Sequence, residues 1–97
     1  MASTKQIEYI KSMVSNLQNA PFLNTATDSN KKRWMEDVMR LPSYDDDDNA
    51  IRRTLEEVQA EYQKRCNAIL NADFETMSNA EASKLIDAIK SKFIPSL

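Results

Sequence analysis

The sequence predicts an all-α single domain, a compact four-helix bundle-like unit over residues 1–97 with a long third helix. Three observations carry this: two serine-headed capping boxes, two prolines placed just past apolar stripes, and a regular stripe spanning residues 49–71. No alternating pattern suggestive of a strand occurs anywhere, and no segment repeats.

Ser3-Thr4-Lys5-Gln6 reads as a capping box. Ile7, Ile10, Met13, Val14 and Leu17 follow at helical spacing, which predicts a first helix over 4–19, closed before Pro21. Phe22 and Leu23 then stand in a loop but are too apolar for water, so they are expected to dock on the core. Thr27 or Asp28 can cap a second helix over 28–41, with Trp34, Met35, Val38 and Met39 on its inner face. Pro42 ends it, because a residue preceding proline avoids α geometry.

The loop Pro42-Ser43-Tyr44 runs into four consecutive aspartates, Asp45 to Asp48. Ile51, Leu55, Val58, Tyr62, Cys66 and Ile69 recur at intervals of three and four, predicting a third helix over 49–71. Such a helix would be ~34 Å long, with the aspartates at its N-terminal dipole end. Arg52/Glu56, Arg53/Glu57 and Glu61/Arg65 are spaced to pair on its wet side. Asn71 can take the left-handed conformation that glycine usually supplies at a helix end. Ser78-Asn79-Ala80-Glu81 is the second capping box; Ala82, Leu85, Ile86, Ile89 and Phe93 form the last stripe, giving a helix over 79–93 closed by Pro95.

Composition narrows function by exclusion. There is no glycine, so phosphate-binding loops, nucleophile elbows and tight two-residue hairpins are not expected. With no histidine there is no imidazole base and no Ser-His or Cys-His pair, and Glu56, Glu57 and Glu61 read as a solvated helix face. A non-enzymatic protein without cofactor or metal is expected. The net charge of -2 gives no general pull toward nucleic acid or anionic lipid. No apolar run is long enough to span a membrane, and the opening residues lack a signal-peptide core, which predicts the cytoplasm, or the host cytoplasm if phage-encoded. The single cysteine, Cys66, is read as a buried reduced thiol.

The candidate partner-binding residues lie in the middle of the chain. Asp45, Asp46, Asp47 and Asp48 lack the alternation and turn glycine of a calcium loop. They read either as helix N-terminal charge or, with Glu36 and Asp37, as an anionic surface that imitates DNA phosphates or meets a basic groove. Tyr44 stands beside them. Lys31, Lys32 and Arg33 form the one basic cluster; next to them Trp34 could stack on a base, but it shares the apolar stripe and is read as a core anchor. Three cations make a weak nucleic-acid site. Met13, Met35, Met39 and Met77 are read as gap-fillers in a small core.

Thr4-Lys5-Gln6-Ile7-Glu8-Tyr9-Ile10, and Ser78-Asn79-Ala80-Glu81-Ala82-Ser83-Lys84-Leu85-Ile86-Asp87-Ala88-Ile89-Lys90, resemble the opening and closing helices of small modules in phage and mobile-element proteins: GemA-like regulators and the tails of phage single-strand-annealing proteins. The resemblance covers about a fifth of the chain. It implies two helices packed as a unit, a DNA-related setting and no catalytic residues. Residues 20–77, with two further helices and the aspartate run, have no counterpart in that module, which moves the expected specificity to the middle of the chain. The expected function is therefore binding of a protein partner in nucleic-acid processing or host defence, with an anti-CRISPR-like acidic DNA mimic as one alternative. A second alternative is a homodimer built on the outer turns of the third helix.

Overall fold

The computed structural model describes residues 1–97 and is all-helical: α1 (Thr4–Gln18), α2 (Phe22–Thr25), α3 (Asp28–Val38), α4 (Leu55–Leu70) and α5 (Asn79–Lys90). Both capping boxes form. Ser3 Oγ accepts from the Gln6 N–H at 3.2 Å while the Ser3 N–H donates to Gln6 Oε1 at 2.9 Å. Ser78 and Glu81 repeat the exchange at 3.1 and 3.3 Å. Thr27 caps α3 by accepting from the Asn30 N–H.

The helices pack in a row, α3 on α4, α4 on α1, and α1 on α5. At one end of the α1–α4 pair the Tyr62 hydroxyl donates to the Leu17 carbonyl, and at the other the Ala2 N–H donates to the Phe74 carbonyl, so these helices run antiparallel. Gln6 Nε2 donates to the Asn79 carbonyl and to Ser83 Oγ, joining the two capped starts of α1 and α5, which run the same way. The outline is a slab of 41 × 34 × 19 Å, about two helix diameters thick. Tyr62, Ile10, Met35, Met39, Ile69, Ile94, Val14, Val58 and Cys66 form its fully enclosed centre, to which Met13, Trp34 and Met77 add half-buried flanks.

The third predicted helix is shorter than its stripe. It begins at Leu55, not Asn49, because Thr54 Oγ1 accepts from the Glu57 N–H and makes Thr54 the N-cap. Its length is ~24 Å. The acidic residues in its first turn are Glu56 and Glu57, not the aspartates. With residues 49–54 outside the helix, the pairs Arg52/Glu56 and Arg53/Glu57 do not form. Arg53 instead reaches back to Glu36 Oε2 at 2.9 Å and to the Pro42 carbonyl at 2.8 Å. Glu61/Arg65 does form, at 2.9 Å. The outer turn on which self-association was expected is not helical: Ile51 lies before the helix and is half-buried, as is Leu55, while Val58, Tyr62, Cys66 and Ile69 are buried within the chain.

Asn71 is not left-handed, at φ -107°; its side chain turns back to donate to the Asn67 carbonyl. The left-handed positions are Arg40 (φ 53°), Asp48 (φ 61°) and Lys92 (φ 59°). Arg40 and Lys92 each close a helix in the same way. After α3, the N–H groups of Arg40 and Leu41 donate to the carbonyls of Asp37 and Glu36; after α5, those of Lys92 and Phe93 donate to Ile89 and Ala88. This is why α3 stops at Val38 and not Leu41, and α5 at Lys90 and not Phe93. A side chain in the left-handed region costs ~1 kcal/mol that glycine avoids. Lys92→Gly is therefore expected to raise stability by ~0.5–1 kcal/mol in urea titration. Arg40→Gly should gain less, because the Arg40 guanidinium lies 4.4 Å over the Phe93 ring and that contact would be lost. Equal effects of the two would remove the stacking from the account.

The segment after α5 folds back over α3 and α4. The Ile94 N–H donates to the Val38 carbonyl at 2.9 Å, and the Ile94 side chain is fully buried. Arg65, on α4, donates through Nη1 to the Met39 and Ile94 carbonyls, both at 3.1 Å. The row of helices is thereby closed into a circuit through this tail.

Candidate functional site

The aspartate run forms a hairpin loop. Tyr44 and Ala50 make an isolated antiparallel bridge, the only β pairing in the chain. The Asp45 N–H donates to the Asn49 carbonyl at 2.9 Å, the Asp48 N–H donates to the Asp45 carbonyl at 3.1 Å, and Asp48 takes the left-handed position. This is a three-residue loop with the geometry usually given to glycine, here supplied by an aspartate, the non-glycine type that tolerates it best along with asparagine. Asp45 Oδ1 accepts from the N–H groups of Asp47 and Asn49, both at 2.9 Å. One carboxylate is thus committed to holding the loop in shape, and the other three point no hydrogen-bonding group at the chain. All four aspartates are exposed, as is Tyr44 at 63%. They do not gather into a group that could hold a metal ion.

Two of the sequence-derived groupings come apart. Glu36 does not join the acidic surface, since it sits between Arg53 at 2.9 Å and Lys32 at 3.7 Å. Of Lys31, Lys32 and Arg33, the first two are half-buried along α3 and Lys32 is engaged with Glu36; only Arg33 is exposed. Trp34 lies in the core flank, its ring 5.8 Å from Phe22 and 5.9 Å from Tyr62. Leu23 packs on the core as expected, whereas Phe22 remains 42% exposed, resting on Trp34.

Arg53 was expected only on a helix surface, yet it fixes the hairpin to the body. Its guanidinium binds the Pro42 carbonyl at the entry to the loop and the Glu36 carboxylate on α3 at once. The signal for this lay in Thr54-Leu55-Glu56-Glu57, a third Ser/Thr-x-x-Glu start that places Arg53 before the helix.

The buried titratable pair is Tyr62 and Cys66, one turn apart on α4. Burial pushes the Cys66 thiol up to about 11, the Tyr62 hydroxyl lowering it only in part. Tyr62 is raised too, by burial first and then by Cys66. Cys66 is therefore a protonated, inert thiol at neutral pH. In the unfolded chain the thiol would lose its proton near pH ~8.5, so the fold holds it more tightly. The resulting stability is fully present below that pH and is lost as pH rises toward 11. Urea midpoints should fall between pH 8 and 11 as the thiol ionises in the unfolded state while the folded state keeps its proton, and Cys66→Ala should fall less steeply. A flat profile for both would remove this pair as the cause.

Compared with known proteins, the chain matches no family model, and no curated protein or solved structure proved similar to it. No helix is long and apolar enough to cross a membrane. What the fold and the loop define is a small all-α domain that presents a braced acidic hairpin.

Proposed function

We propose that this is a non-catalytic protein of a phage or mobile element that binds a protein partner in nucleic-acid processing or host defence, with the Tyr44–Asp48 hairpin as the contact. The observation that carries this reading is the bracing of the loop. A merely solubilising run of aspartates has no need of a closed turn, an Asp45 side-chain staple and an Arg53 anchor. Fixed in advance, the loop loses little conformational freedom on binding. Its exposed carboxylates suit a basic groove, and Tyr44 offers a rigid aromatic with a polar tip, a residue type enriched in interface centres. The resemblance of the two end helices to phage modules supplies the biological setting.

The hairpin also favours the acidic DNA-mimic alternative, in which the carboxylates stand where phosphates would. Ionic strength separates the two. A mimic should lose its partner steeply as salt rises, while a contact centred on Tyr44 should decline gently. The test uses the tagged full chain as bait in host extract, with captured proteins identified by mass. An Asp46/Asp47/Asp48→Asn variant and Tyr44→Ala are run beside it; Asp45 is retained because it shapes the turn. Loss of a nucleic-acid enzyme or its regulator in either variant is the expected result. Unchanged capture in both would sink the hairpin as the contact.

A further inference from the structure

We propose that the segment after α5 is exchanged between two copies of this chain, the Ile94 of each seated in the other, to give a two-fold symmetric dimer. The proposal is independent of any role for the hairpin.

The seat of Ile94 is a complete site whose occupant is in place. The side chain is fully buried, the N–H donates to the Val38 carbonyl at 2.9 Å, and the carbonyl accepts from Arg65 Nη1 at 3.1 Å. Only Ser91, Lys92 and Phe93 join this residue to α5. Within that joint Lys92 is left-handed at φ 59°, and the N–H groups of Lys92 and Phe93 turn back to the Ile89 and Ala88 carbonyls. Pro95 keeps Ile94 out of α geometry. The segment thus stays extended from Ile94 onward, whichever way the joint turns.

The joint has a second conformation, visible in the sequence. Leu85, Ile89 and Phe93 recur every four residues, and that stripe alone predicts a helix as far as Phe93. The helix stops at Lys90 because the chain reverses at Lys92. Continued through Phe93, it would free Lys92 of its left-handed geometry and direct Ile94 away from its own seat. An emptied seat leaves the Val38 carbonyl and the Arg65 guanidinium each short of a partner. The Ile94 of a second copy restores both contacts.

In such a pair the seated contacts equal those of the closed chain, so they cancel between monomer and dimer. What differs is the strain at two hinges, relieved on exchange, set against the freedom lost when two chains associate. Short hinge loops under strain invite such exchange. Concentration therefore decides which form is populated.

Sedimentation equilibrium of the full chain, from micromolar to millimolar concentration, reads the association. Expected is a monomer that passes to a dimer as concentration rises. Isotope-filtered NOEs should then link Ile94 of one copy to Val38 of the other, in a mixture of labelled and unlabelled chains incubated together. Lys92→Gly should weaken the dimer ~5- to 30-fold, because at both hinges glycine accepts the left-handed turn and disfavours the continued helix. Its melting temperature at low concentration should not fall, which separates loss of the dimer from loss of the fold. Leu97→Ala should dimerise as the parent does, since Leu97 is exposed and outside the seat. A monomer at every concentration overturns the proposal. So does a dimer that gives no NOE between the copies, keeps its full strength in Lys92→Gly, or disappears in Leu97→Ala.

Discussion

Arg65→Ala is expected to lower stability by about 3 kcal/mol and the melting temperature by more than ~10 °C. The Arg65 side chain is only 14% exposed, and its guanidinium reaches three places at once: Glu61 on its own helix, the Met39 carbonyl that follows α3, and the Ile94 carbonyl in the tail. Truncation leaves two part-buried carbonyls without a donor, at ~1–3 kcal/mol for each group that water does not reach. The pair with Glu61 adds little on its own account, because Glu61 is 35% exposed. Arg65→Lys separates the two contributions. An ammonium keeps the charge but cannot span both carbonyls with a planar fork, so about half the loss should remain. Differential scanning calorimetry reads both variants, and a Tm for Arg65→Ala within a few degrees of the parent would mean that water replaces the guanidinium at both sites.

Ile94→Ala should cost ~2–4 kcal/mol, as large-to-small changes at closed sites do. Ile94 is fully buried, although only four residues after the last helix, and its N–H is spent on the Val38 carbonyl. Leu97→Ala is the matched control. Leu97 is 63% exposed and its truncation should stay within ~0.5 kcal/mol. Urea titration of the two gives the comparison directly. Equal, small effects would show that the tail does not close the circuit of helices.

The two capping boxes are legible along the chain, whereas the start of α4 and most contacts across the fold are not. Ser3-to-Gln6 and Ser78-to-Glu81 fix helix starts within four residues, and both formed as written. The start of α4 was missed because Ile51 continues the apolar spacing through Leu55, and periodicity cannot tell a helix from an extended segment that happens to keep phase. Intrinsic preference points to Asn71 for the left-handed positions. They fell instead at Arg40 and Lys92, where the chain must turn back so that Leu41 and Phe93 can satisfy the Glu36 and Ala88 carbonyls. Arg65 was legible as a partner of Glu61, four residues away. Its bonds to carbonyls 26 and 29 residues distant have no signature along the chain.

The candidate surfaces divide in the same way. Pro42 to Asp48 was legible as an exposed loop with Tyr44 at its head. Its closure was not: the missing glycine argues against a two-residue hairpin, and the loop that forms has three residues with Asp48 in the left-handed position.

The three left-handed positions held by Arg40, Asp48 and Lys92 also bear on the chain before it folds. A polypeptide without glycine explores fewer backbone states when unfolded, by ~0.4–1 kcal/mol for each position where alanine-like residues stand in place of glycine. The strain retained at three sites is thus set against a stiffer denatured ensemble spread over the whole length. For a slab two helices thick, with 15 residues enclosed, that reduced entropy of the starting state is a source of stability which no contact in the folded protein displays.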